Sequence, residues 1–99
     1  FALADIACNG RYAIALAHTQ GPAAGVMEIR RLEAHMRQLK ILPETNRTIW
    51  GYFHHARATI LEMAGDDSGA LESMRFEGVF KFTQADIDRL ERKIAEKKP

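Results

Sequence analysis

Ninety-nine residues, 46% hydrophobic and 27% charged, give an ordinary globular composition and enough chain for one core but not two. Lysine and arginine are spread along the chain and leave a formal net charge of +1, which argues against the concentrated basic face that non-specific nucleic-acid binding needs. The lone Cys8 rules out an intrachain disulfide and fits a reducing, cytoplasmic setting, and no run approaches the roughly 20 apolar residues of a membrane span.

Five helices are predicted, with almost no strand signal. The first covers about Ala2 to His18. It is alanine-rich and apolar on most sides, as in a helix packed by neighbours on both flanks. Asn9-Gly10 is its weak point, since a mid-helix glycine costs about 1 kcal/mol relative to alanine. Cys8 in this run reads as an inert core thiol. Phe1 to Ala17 is not expected to be a signal peptide, because it lacks a basic start and carries Asp5 and Arg11. No initiator methionine precedes Phe1, and the expectation is a fragment of a longer chain.

Gly21 and Pro22 then punctuate the chain, glycine past one helix and proline at the start of the next. The second helix, about Ala23 to Leu39, places Gly25, Ile29, Leu32, Met36 and Leu39 on one stripe and Arg30, Glu33, Arg37 and Lys40 on the other side. Glu33 and Arg37 are spaced for an ion pair. Thr45 is the expected N-cap of a third helix running to about Ala64, with Ile49, Phe53, Ala56, Ile60 and Met63 as its stripe. Asp67 or Ser68 is expected to cap a fourth helix that buries Ala70, Leu71 and Met74 and weakens near Gly78, amid Phe76, Phe80 and Phe82. Thr83 and Asp86 form a capping-box-like pair ahead of the last helix, whose stripe is Ile87, Leu90 and Ile94. Its lysine-rich end, Lys93, Lys97 and Lys98, suits the helix dipole.

One motif occurs twice. Gly-Pro-Ala-Ala-Gly-Val-Met-Glu at 21–28 matches Gly-Asp-Asp-Ser-Gly-Ala-Leu-Glu at 65–72, each between two helical stretches and 44 residues apart. A glycine turn followed by a small residue where helices meet is the signature of stacked helical hairpins, which more often bind proteins than catalyse reactions. The expected fold is therefore all-α: stacked hairpins of tetratricopeptide-like type, about five helices in a single domain over 1–99, with Gly25, Ala58 and Ala70 allowing close approach.

The reactive side chains form no enzyme constellation. His54 and His55 are adjacent and point about 100° apart on a helix, and neither has a ligand at the next turn. His18 and His35 have no ligand partner either. Ser68 is accounted for as a cap, and Cys8 has no histidine beside it. Asp66 and Asp67 read as caps, and the strand that a phosphate-binding glycine loop would follow is absent. No enzyme activity, metal or cofactor is expected. Trp50, Tyr52, Phe53, Phe76, Phe80 and Phe82 read first as core, with a partner-helix groove among Phe76, Phe80 and Phe82 as the sharper alternative. Arg30, Arg31, Arg37 and Arg47 read as a solvated face or as a match for an acidic partner.

Asn9 to Val26 resembles a segment of the extracytoplasmic-function-type RNA polymerase sigma factors that carry a C-terminal tetratricopeptide-like domain, where an Asn-Arg-Ala-type helix runs into a Gly-Pro-Ala-Ala turn. Tyr52, the His55-Ala56-Arg57-Ala58 run, Leu61, Gly65, Ala70 and Leu90-Glu91-Arg92 agree with the same pattern, over about three quarters of the chain. Asn9-Gly10-Arg11 inserts a glycine into the Asn-Arg pair, Glu28 to Ile49 is longer and more charged than the pattern, and Met74 replaces its aromatic. The resemblance implies a cytoplasmic regulatory module of a transcription initiation factor. Its partner would be another part of the sigma factor or RNA polymerase, and no helix-turn-helix in this fragment would touch DNA. Arg30, Arg31, Tyr52, Arg57 and Phe80 are the expected partner contacts. Two other functions fit the residues: a small-ligand sensor with an aromatic pocket, and an oligomerising module whose open ends pair two copies.

Overall fold

A computed structural model of the chain describes residues 3–76 and 82–97. These residues form five helices: α1 Leu3–Gln20, α2 Pro22–Gln38, α3 Arg47–Met63, α4 Asp67–Met74 and α5 Gln84–Lys97, with no strand among the described residues. α1 packs on α2 and α3, α2 also meets α3, α3 packs on α4, and α4 carries α5. The result is a slab of 43 × 30 × 18 Å built from two helical hairpins and a terminal helix.

α3 takes part in two apolar clusters. Ile6, Ala13 and Ala17 of α1 meet Ile29, Leu32 and Met36 of α2 and Trp50, Phe53, Ala56 and Ile60 of α3. Ala58 and Leu61 of α3 meet Ala70, Leu71 and Met74 of α4 and Leu90 of α5. Val26 touches both. The spacing of these residues is the four- and three-residue rhythm of a helix face, so burial of each stripe explains why the segments are helical.

The duplicated motif marks corresponding places in the two hairpins. Gly21 and Gly65 both have positive φ, +104° and +85°, where a side chain would be strained. Gly25 lies so close to α1 that a Cβ there would stand 2.7 Å from the Ala17 Cβ, and at Gly69 it would stand 2.9 Å from Leu61 Cδ1. Ala17 and Leu61 are themselves one repeat apart. The repeat is then cut short, because α4 has 8 residues where α2 has 17.

Several local expectations are corrected. α1 is covered on one stripe only, since α2 and α3 both lie to one side of it; Cys8, Arg11, Tyr12 and Ala15 face solvent, so Cys8 is exposed and not a core thiol. Asn9-Gly10 does not interrupt the helix. Asn9 donates to the Asp5 carbonyl at 2.7 Å, and buried Gly10 lets Ala56 approach. Thr45 is not the cap of α3: a turn closed by the Asn46 amide on the Leu42 carbonyl moves the helix start to Arg47. α4 is capped by Asp66, which accepts from the Gly69 amide at 3.0 Å; of the residues read as caps it is Asp66, and neither Asp67 nor Ser68, that fills the position. It ends at Met74, and Gly78 lies outside the described residues. The Thr83–Asp86 pair does cap α5, with the Asp86 amide donating to Thr83 Oγ1 at 3.2 Å and the Thr83 hydroxyl to Asp86 Oδ2 at 2.8 Å.

Candidate docking surface

On the outer side of the first hairpin, Ala23, Met27, Arg30 and Arg31 share one exposed face of α2. Met27 is 71% exposed and Tyr12 of α1 55%, the two most exposed large apolar side chains among the described residues. Arg31 is held by Glu28, one turn away, and lies near Tyr12 of α1. That contact keeps the Glu28 carboxyl below its usual range, the Arg31 hydrogen bond being the main cause. Arg30 has no ion pair among the described residues. The face thus combines exposed carbon with an unneutralised cation.

The corresponding side of the second hairpin is closed. α5 lies on α4 with Leu90 fully buried, and charged side chains bind its rim. Lys97 and Lys93 of α5 reach buried Asp67 at 2.5 and 3.3 Å, and Arg75 of α4 meets Glu91 at 2.9 Å. Glu62 of α3 takes a two-pronged bond from Arg89, at 2.6 and 2.9 Å, and a third from Lys93. Both Glu62 and Asp67 are held below the ordinary carboxylate range, chiefly by the hydrogen bonds from Arg89 and Lys97 respectively. The lysines at the end of α5 therefore bind acids on α3 and α4; Lys98 lies outside the described residues.

Between α3 and α4 runs a buried polar row. Arg57 donates to the Gly69 carbonyl at 3.1 Å and to the Ser73 hydroxyl at 2.6 Å, and Ser73 Oγ lies 2.9 Å from His54 Nδ1. The row closes when Ser73 accepts from Arg57 and donates to neutral His54. Burial, followed by the nearby charges of Arg57 and Arg37, pushes the His54 pKa down to about 4. Phe76 stacks on the His54 ring at 4.4 Å and Phe53 meets it edge-on. Although a serine and a histidine are in contact, Ser73 is only 1% exposed and its hydroxyl also accepts from the Arg57 cation, so the row ties two helices together.

Tyr52 lies elsewhere, in a cleft of about 160 Å³ between α1 and α3 with Arg11, Ile14 and His55. A wider hollow of about 480 Å³ separates α3 from α5, floored by Met63, Met74 and Phe82. No group of three or more His, Cys, Asp or Glu side chains among the described residues is placed to hold a metal ion. No helix there is long and apolar enough to cross a membrane.

The five expected contact residues do not form one site. Arg30 and Arg31 share the α2 face. Tyr52 and Arg57, five residues apart on α3, face different neighbours: Tyr52 the α1 cleft, Arg57 the backbone of α4. Phe80 lies outside the described residues. Of the aromatic group, Trp50 and Phe53 are core, and Trp50 Nε1 donates to the Ile41 carbonyl at 3.0 Å while Arg37 covers its ring. Tyr12 and Met27 were not anticipated. Met27 could have been found, because it stands about 160° round the helix from Gly25, off the apolar stripe. Tyr12 was hidden by alanines that make α1 look apolar all round.

Comparison with protein-family models, curated proteins and solved structures finds no significant match.

Proposed function

We propose that this chain is a protein-docking module, and that it serves as the regulatory C-terminal domain of a bacterial transcription initiation factor of the sigma type. The observation that carries the docking reading is the open α2 face, where exposed Met27 lies with Arg30 and Arg31, and exposed Tyr12 of α1 lies near Arg31. An exposed methionine adapts to irregular apolar surfaces, and arginine is the charged residue most favoured at interfaces. The transcription part of the reading is supported by the Asn9–Val26 and Tyr52–Ala58 resemblance. On this reading the partner is a neighbouring region of the sigma factor or RNA polymerase, and the setting is cytoplasmic.

The test is a titration of the purified chain against RNA polymerase core and against the promoter-reading regions of such a sigma factor. Binding to either is expected, weakened at least about tenfold by Met27→Asp, the loss typical of one contact residue worth more than about 1.4 kcal/mol. Silence toward both would remove the transcription assignment.

A further inference from the structure

The two hairpins are buried differently at matching positions. In α4, Asp67, Leu71 and Met74 are buried beneath α5, and Arg75 beside them is paired to Glu91. One repeat earlier these positions are Ala23, Met27, Arg30 and Arg31, and all four are exposed. The inner positions agree: Gly25 and Ile29 are buried against the first hairpin's core, and Ser73, the counterpart of Ile29, is buried too. The second hairpin thus shows how such a face is covered. A helix lays an apolar stripe of i, i+3, i+7 spacing across it, with Leu90 at the centre and a carboxylate beside it reaching the arginine.

We propose that the Ala23–Met27–Arg30–Arg31 face of α2 receives an acidic amphipathic helix from a partner protein, seated as α5 is seated on α4; this rests on the docking reading above. The charges select the partner. Arg31 stands where Arg75 donates to Glu91, and its guanidinium has donors beyond those engaged by Glu28. Arg30 replaces Met74 and adds a second cation. Ala23 replaces Asp67, so the seat has no counterpart of the acid that holds Lys93 and Lys97. A second copy of this chain offering its own α5 would set Lys97 over Ala23 with no carboxylate to meet it, and Lys93, which lines the same hollow as Met74, beside Arg30. Like charges repel there, so the occupant carries glutamate or aspartate at those places.

The test uses two labelled synthetic helices with the apolar spacing of α5. One carries glutamate at the positions of Lys93, Arg92 and Lys97, and the other keeps the basic residues. Fluorescence anisotropy against the intact chain reads the affinities, and light scattering reads self-association. The acidic helix should bind at least tenfold more tightly than the basic one. Met27→Asp and Arg30→Glu, both at exposed sites, should each weaken it at least tenfold while circular dichroism stays unchanged. Equal binding of the two helices, with Met27→Asp still abolishing it, would overturn the acidic partner and leave the docking face standing. Binding of neither helix, or binding indifferent to Met27→Asp, would overturn the seat itself. A dimer dispersed by Met27→Asp would assign the face to a second copy and also overturn the proposal.

Discussion

Lys40 occupies the place that Gly65 holds at the end of α3. In both turns the amide two residues past the helix cap reaches back to the carbonyl five residues earlier: Ile41 to Met36 and Asp66 to Leu61, each at 2.9 Å. The shorter bonds, Lys40 to Arg37 and Gly65 to Glu62, complete the same motif, which wants a left-handed residue at its centre. Lys40 adopts it at φ +62°. A side chain there costs roughly 1–2 kcal/mol, partly offset because glycine loses more freedom on folding. Lys40→Gly should therefore raise stability by about 0.5–1 kcal/mol in urea denaturation. Gly25→Ala should do the reverse. Better helix propensity returns about 1 kcal/mol. The new Cβ, however, meets Ala17 at 2.7 Å, a backbone oxygen at 3.0 Å and Ile60 at 3.1 Å. The clash wins, and a net loss of about 2 kcal/mol is expected by the same measurement.

His54 supplies a residue-scale dependence on pH. Its folded pKa of about 4 lies below the ordinary 6.5, so the unfolded chain takes up the proton first. The stability that neutral His54 carries is complete above about pH 6.5 and is lost as pH falls toward 4. Allowing for solvent around a half-buried ring, the loss is about 2 kcal/mol. Glu28, Glu62 and Asp67 act in the same direction but only in the lower carboxylate range, because their pKa values are depressed from 4.5 or 3.8. Urea unfolding of His54→Gln between pH 7 and 5 should be flatter than that of the native chain. Identical slopes would remove the effect from this residue.

At the scale of elements, α5 lets burial and surface charge be weighed against each other. Leu90 is fully buried among Leu71, Met74 and Ala58, and its truncation to alanine should cost about 3 kcal/mol. Arg89→Ala removes a well-formed bidentate pair to Glu62, yet Arg89 is half exposed and the cost should stay below about 1 kcal/mol. Thermal melts of both variants check the ranking. The α5 stripe and its cap were legible in the sequence, as was the α2 stripe, because apolar spacing and capping chemistry are local. The Glu33–Arg37 pair was legible for the same reason. Which face of α1 is covered was not, since alanine neither demands nor resists burial. Nor was the row from Arg57 through Ser73 to His54, whose members lie up to 19 residues apart and meet only after the hairpin closes. The docking face was half legible. Its arginines stood out as charge, but Met27 was read only as the match of Leu71, and the difference between those two environments exists only in three dimensions.

At the scale of the whole molecule, α3 belongs to both apolar clusters while α5 belongs to one and brings its backbone close only to α4. Stability should therefore be graded along the slab. Amide exchange in α5 should run at least about tenfold faster than in the Phe53–Leu61 stretch of α3, a gap of about 1.4 kcal/mol in opening energy. Met27, by contrast, carries nothing structural, and Met27→Asp should leave the unfolding midpoint within the scatter of surface substitutions, about 0.5 kcal/mol.

The glycine in the turn between each hairpin's two helices also sets the phase of the array. Since Gly65 occupies the register of Gly21, a second copy of residues 21–64 spliced in after Ala64 would present the same close-approach surfaces at each new junction. Such a chain should stack into a longer solenoid with the old ends unchanged, its maximum dimension in small-angle scattering growing by one step per copy.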